Sequence, residues 1–226
     1  MVKNDDYKSK YINIKKLKQQ QGLTLMFLFC LAFSGLNSQE PIYLKNPSFE
    51  MDRVQSGVTP SYWINLGNDL ESPPDIQPGL FDVMLRPHEG ERFVGLVVRD
   101  NNTVEGIGQE LTEPILRDSV YQFSVHLARS SRFASLSRTT GEVAAYQTAV
   151  VFQVWGYNTY TQQRELLAES TPVTHTQWLP YVFEFSPAAS DYNRLDLMAA
   201  YDAAIGKAYN GNLMIDACSP ITMVPK

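Results

Sequence analysis

The feature that most constrains this chain is the recurrence, from Ile42 onward, of short apolar-alternating runs broken by Pro, Gly, Asn and Ser. Successive side chains of a strand point to opposite faces, so a period of two marks half-buried strands and the breaks mark turns. In the clearest run, 120–127, Tyr121, Phe123, Val125 and Leu127 share one face while Gln122, Ser124 and His126 take the other. Similar runs stand at 93–98, 149–157, 179–185, 194–201 and 213–218. No segment offers a convincing long amphipathic helix. The runs add up to roughly ten strands, more than a minimal immunoglobulin-type sandwich and nearer a jelly roll. The expectation is an all-β fold, a single β-sandwich jelly roll.

Residues 1–38 follow a different rule. Lys8, Lys10, Lys15, Lys16 and Lys18 precede the uncharged apolar run 23–33, and Ser34, Gly35, Asn37 and Ser38 supply small residues for cleavage. That order predicts a signal peptide, cut near Ser38–Gln39. The competing reading is an uncleaved anchor, for which the run falls short of the roughly 20 residues a span needs. Cys30 follows the bulky Phe29, so no lipid anchor is expected. The chain therefore divides into 1–38, signal peptide, and 39–226, one domain, exported to the periplasm, the outer-membrane surface or the outside of the cell. No transmembrane span is expected in the exported part.

Of 19 Lys and Arg and 24 Asp and Glu, the portion after residue 38 keeps 13 and 22, a net charge of −9. Nucleic-acid binding needs cationic charge to displace counterions, so that ligand class is excluded. The same portion has one cysteine, Cys218, and cannot close an internal disulfide in spite of export. Its stability must come from core burial.

Catalytic patterns are scarce. His88, His126 and His175 show no metal-type spacing, no Ser stands in a G-x-S-x-G elbow, and Cys218 lies in an apolar closing run. A glycosidase pair needs only two placed carboxylates and leaves no trace in sequence. The expectation is a non-catalytic protein, with a hydrolase as the lesser alternative.

Two groups stand out for binding. Alternation in 151–157 puts Gln153, Trp155 and Tyr157 on one face, and an aromatic plane beside an amide suits a pyranose ring. The rival reading makes Trp155 core and Tyr157 a loop-edge residue. Arg129, Arg132 and Arg138 make a positive cluster in a Ser-rich loop, and guanidinium forks bind carboxylates or sulfates. Pairing with carboxylates such as Glu142 or Asp75 is the alternative. The Pro-stiffened loop 71–79 is a second candidate contact surface.

Four segments in order resemble the galactose-binding-like jelly rolls of bacterial carbohydrate-binding modules. They are Asn46-Pro47-Ser48-Phe49-Glu50 with Pro60 and Trp63; 89–95 with Gly108-Gln109-Glu110-Leu111; Tyr121-Gln122-Phe123-Ser124; and Trp178 with Gly211-Asn212-Leu213-Met214-Ile215-Asp216. Runs 96–101, 165–170 and 210–216 are further similar to exported surface proteins of gliding Gram-negative bacteria. The resemblance implies a galactose-binding-domain-like fold whose partner is a glycan or a cell-envelope protein. It places Trp63 and Trp178 in the core. It also implies a structural calcium tying the first strand to the last through Glu50 and Asp216, although Ala217 stands where the pattern usually has a second aspartate. The residues alone allow another reading, in which Glu50 caps a turn and Asp216 accepts loop amides.

Overall fold

The computed structural model describes residues 39–68 and 73–225, so the expected signal peptide and its cleavage site lie outside the described residues. The alternating runs become strands: β1 (Ile64–Asn65), β2 (Asp75–Gln77), β3 (Phe93–Val98), β4 (Gly106–Ile115), β5 (Tyr121–Ala128), β6 (Ala134–Leu136) and β7 (Val143–Ala145). They continue as β8 (Val151–Tyr157), β9 (Arg164–Glu169), β10 (Leu179–Phe185), β11 (Tyr192–Ala200), β12 (Gly211–Asp216) and β13 (Thr222–Met223). The strands pair almost wholly antiparallel, and among the described residues the helical elements are two short 3₁₀ turns, Leu80–Asp82 and Ala203–Ile205.

Two sheets face each other. One runs β1-β4-β11-β8-β9; the other runs β10-β5-β12-β3-β2, with β13 added to β5. The period-two faces meet between them: Tyr121, Phe123, Val125 and Leu127 from one sheet pack with Ile107, Phe152, Val154, Leu195 and Leu197 from the other. This is the β-sandwich jelly roll that the alternation implies, and the interdigitated faces form its core. A smaller cluster, Val83, Phe93, Val97, Phe133, Tyr146 and Met214, lies on the far side of the six-stranded sheet under loops.

The opening motif is a clasp. Asn46 adopts a left-handed backbone, φ 50°, which Asn tolerates better than most residues. Its side chain receives the Glu50 amide at 2.8 Å, and Phe49 is buried against Trp63 with ring centroids 5.3 Å apart. Gln109 then grips the segment, accepting the Lys45 amide at 2.7 Å and donating to the Lys45 carbonyl at 2.8 Å. Chain ends meet where Ile42 pairs with Ile221 and the Cys218 amide donates to the Pro47 carbonyl. The expected core tryptophans divide: Trp63 is buried, whereas Trp178 is half-buried and donates its indole N–H to the Arg86 carbonyl.

Close packing within the five-stranded sheet depends on Gly156, because a Cβ there would lie 2.4 Å from the Tyr192 ring on the neighbouring strand. Tyr192 reaches past it to donate its hydroxyl to Glu165 at 2.7 Å, and burial together with that carboxylate holds the phenol well above its usual range. Tyr192→Phe keeps the ring and loses the hydrogen bond. It should cost about 1 kcal/mol in urea unfolding, with no change in the slope of the transition.

Candidate functional site

Register builds the site on the outer face of the five-stranded sheet. Antiparallel pairing sets Arg194 of β11 beside Glu110 of β4 and Tyr157 of β8, and Tyr157 beside Arg164 of β9. One residue pair further along, Asp196 lies between Gly108 and Trp155. Gly108 matters because a Cβ there would stand 2.7 Å from an Asp196 oxygen. The missing side chain lets the carboxylate lie flat on the sheet.

Asp196 is 1% exposed although it belongs to the outer face. Arg194 covers it as a fork, Nε to Oδ1 at 2.7 Å and Nη2 to Oδ2 at 2.9 Å, and Arg164 approaches Oδ2 at 4.0 Å. Both guanidiniums also roof aromatic rings: Arg164 sits 4.1 Å from the Trp155 centroid and Arg194 3.8 Å from that of Tyr157. Such stacking holds the planar cations by their faces and leaves their edges for hydrogen bonding. Two cations around one carboxylate give the group an excess positive charge. A pocket of 160 Å³ opens beside it, lined by Leu66, Tyr157, Arg164, Arg194, Asp196 and Met198.

The aromatic face expected from alternation is therefore present, with one difference. Gln153, Trp155 and Tyr157 do share the outward face, but the rings are half-buried beneath guanidiniums instead of standing open. Gln153 is occupied in holding the row, accepting from the Trp155 indole at 3.0 Å and donating to Glu169 at 3.2 Å. Arg164, Arg194 and Asp196 escaped the sequence reading. The available signal was Arg194-x-Asp196, two charged residues on one face of an otherwise apolar strand.

The three loop arginines are not one cluster. Arg129 and Arg132 line a separate pocket of 280 Å³, whereas Arg138 sits on the β6–β7 connection with its amide on Asp100. Neither Glu142 nor Asp75 forms an ion pair with Arg129 or Arg132.

Glu50 and Asp216 both hold the loop that leads into β3. Glu50 Oε1 accepts the amides of Glu91 and Arg92 at 2.9 and 3.1 Å. Asp216 Oδ2 accepts those of His88 and Glu89 at 2.8 and 3.0 Å, and Oδ1 accepts that of Ala217 at 2.8 Å. Calcium wants about six to eight oxygen ligands. Among the described residues no group of three or more His, Cys, Asp or Glu side chains is placed to hold a metal. The donors facing these carboxylates are N–H groups, so the set fits amide capture better than it fits a cation. Beside Asp216, His126 stacks on His88 with ring centroids 3.6 Å apart. Burial lowers the affinity of His126 for a proton, and the neighbouring His88 adds to the effect.

No family model matches the chain, and no curated protein matches it. Solved structures do. A cyclase from Fischerella sp. in its apo form covers 82% of this chain and 96% of its own, at 12% identity and TM-score 0.53. A Stig cyclase from Fischerella sp. TAU, in complex with a 3H-indole compound, covers 82% and 98% at 13% identity and TM-score 0.51. An arabinose-bound α-L-arabinofuranosidase covers 84% of this chain and 27% of its own, at 16% identity and TM-score 0.50. Among the described residues no helix is long and apolar enough to cross a membrane. The expectation of a non-catalytic protein is corrected here: it rested on missing motifs, and the cyclases that match over 82% of this chain are enzymes. What the comparisons establish for this chain is its fold, a β-sandwich of the kind used by cyclases.

Proposed function

We propose that the outer face of the five-stranded sheet is a substrate site for a small, hydroxylated anionic ligand, best matched by an acidic sugar unit. The observation that carries this reading is the buried Asp196 carboxylate held by Arg194 and flanked by Arg164, with both cations stacked on aromatic rings. A ligand carboxylate competes with Asp196 for the same guanidinium fork, since the two anions present identical geometry. Arg164 and Arg194 orient the ligand, and Asp196 holds the Arg194 fork in place until the ligand arrives. Leu66 and Met198 supply the apolar wall against which a sugar's C–H face packs.

The test is calorimetric titration of the full domain with oligogalacturonate and with neutral galactose oligomers, followed by mass spectrometry of the products. Acidic oligomers should bind better than neutral ones, and Arg194→Ala should weaken the acidic ligand by about tenfold or more. Asp196→Asn should retain binding of the acidic oligomer, since the ligand's carboxylate takes the place of Asp196 on the fork. Equal affinity for the two oligomers, or an Arg194→Ala variant that binds like the parent, refutes the assignment.

A further inference from the structure

A second pocket lies away from this sheet face, where the segment after β5 meets the turn 80–85 and the loop before β10. Its 280 Å³ are lined by Asp82, Met84, Leu85, Arg129, Ser130, Ser131, Arg132 and Thr176. Arg129 is fixed there as a cation by neutral partners: Nε donates to the Thr174 carbonyl at 2.9 Å and Nη1 to the Gln147 carbonyl at 3.2 Å. Its amide donates to the His175 carbonyl at 3.0 Å. A guanidinium immobilised by carbonyls is oriented without being neutralised, and its remaining N–H groups are left for an anion.

The surroundings are built with equal rigidity. Ser130 is buried and bound through its amide to Asn212 at 2.7 Å, while Asn212, fully buried in β12, returns a bond to the Ser130 carbonyl at 3.2 Å. Gln147 donates to the Ser131 carbonyl at 3.0 Å. On the opposite wall, Phe81 and Asp82 take consecutive left-handed conformations, φ 54° and 65°, which are costly for non-glycine residues. The Phe81 ring stacks on Phe133 at 5.3 Å and so anchors this turn, from which Met84 projects, 79% exposed. An exposed thioether and Leu85 on one side and an oriented guanidinium on the other call for a ligand that is apolar along its body and acidic at one end.

We propose that this pocket is a binding site for a small organic carboxylate, its carboxyl group on Arg129 and Arg132 and its hydrocarbon or aromatic body against Met84 and Leu85. Asp82 on the rim disfavours ligands with a second negative charge, which separates this site from one for sulfate or phosphate. The proposal does not rest on the sheet-face assignment, because no lining residue is shared.

The test uses the 15N-labelled domain titrated with phenylacetate, with 2-phenylethanol as the uncharged match and sodium sulfate as the charge-only control. Phenylacetate should shift the amides of Ser131, Arg132 and Thr176 to saturation, with 2-phenylethanol and sulfate producing no saturable shift there. Arg129→Gln should weaken binding about tenfold or more. If that variant disturbs the spectrum at large, Arg132→Gln, an exposed position, provides the second reading with a smaller loss. Arg194→Ala should change nothing at this pocket. Saturation by sulfate or 2-phenylethanol equal to that by phenylacetate, or an unaltered affinity in both arginine variants, overturns the proposal.

Discussion

Glu105→Ala should lose about 3 kcal/mol of folding stability, because it takes the acceptor from the buried Arg99 guanidinium and from the Val97 amide together, at roughly 1–3 kcal/mol per buried group left short of a partner. Glu105 is 1% exposed and Arg99 is 4% exposed. The Arg99 guanidinium contacts Glu105 Oε1 directly, and the Val97 amide donates to Oε2 at 3.0 Å. Truncation leaves a cation in a low-dielectric interior without that carboxylate, and strips the amide of its acceptor. Glu105→Gln should cost less, because a neutral amide oxygen still serves Val97 in the same shape. Chemical denaturation at fixed pH separates the two.

The same residue sets a pH dependence. Burial pushes the Glu105 carboxyl up to about 8, against the pull of Arg99 and with the help of the nearby Asp75. The folded protein therefore binds this proton more readily than the unfolded chain. Its contribution is fully present below the ordinary value of 4.5 and is lost as the pH rises through about 8. Stability of the parent relative to Glu105→Gln should fall across that window. A difference that stays flat from acid to mildly alkaline pH would contradict the assignment.

The second large effect is expected at Asp216. Removing its carboxylate in Asp216→Ala orphans the amides of His88, Glu89 and Ala217 together, for a loss of about 3 kcal/mol given roughly 1–3 per unsatisfied buried group. The loss should be the same in calcium and in chelator, since three amides occupy most of the acceptor sites of this carboxylate; a calcium-dependent rise in melting temperature that vanishes in the variant would overturn this expectation. Burial pushes the Asp216 carboxyl up to about 6, so its contribution is present below 3.8 and is lost as pH rises through about 6. His126, with its proton affinity lowered, has the opposite sign: its contribution is present above 6.5 and is lost as the pH falls. Asp216→Asn should therefore expose an acid-side loss of stability that the parent partly masks.

The strands 93–98 and 179–185 were legible residue for residue: the second alternates because it buries one face, whereas the first is buried on both faces and reads as a continuous apolar run. The residues of the clasp stood out in the sequence only as the motifs that carry the resemblance, and the bonds between them came from the fold. Asn46, Phe49, Glu50, Trp63 and Gln109 occupy special backbone or fully engaged positions, and few other residue types could serve there. The outward placement of Gln153, Trp155 and Tyr157 followed from the same period.

What alternation cannot give is the neighbour across the sheet. The Arg194, Asp196, Arg164 and Trp155 group joins β8, β9 and β11, and its existence depends on register and on the irregularity in β8–β9 pairing between Val154 and Trp155. Arg129 and Arg138 read as one cluster in sequence, yet the β6–β7 hairpin carries them to different places. Nothing local marks Glu105 and Arg99 as partners; strand pairing buries both. The sequence by itself determined which residues face inward, since that is a local property of a strand with period two. Only the tertiary structure decided which charged side chains meet, because strand register and loop path are fixed by contacts between residues far apart in the chain.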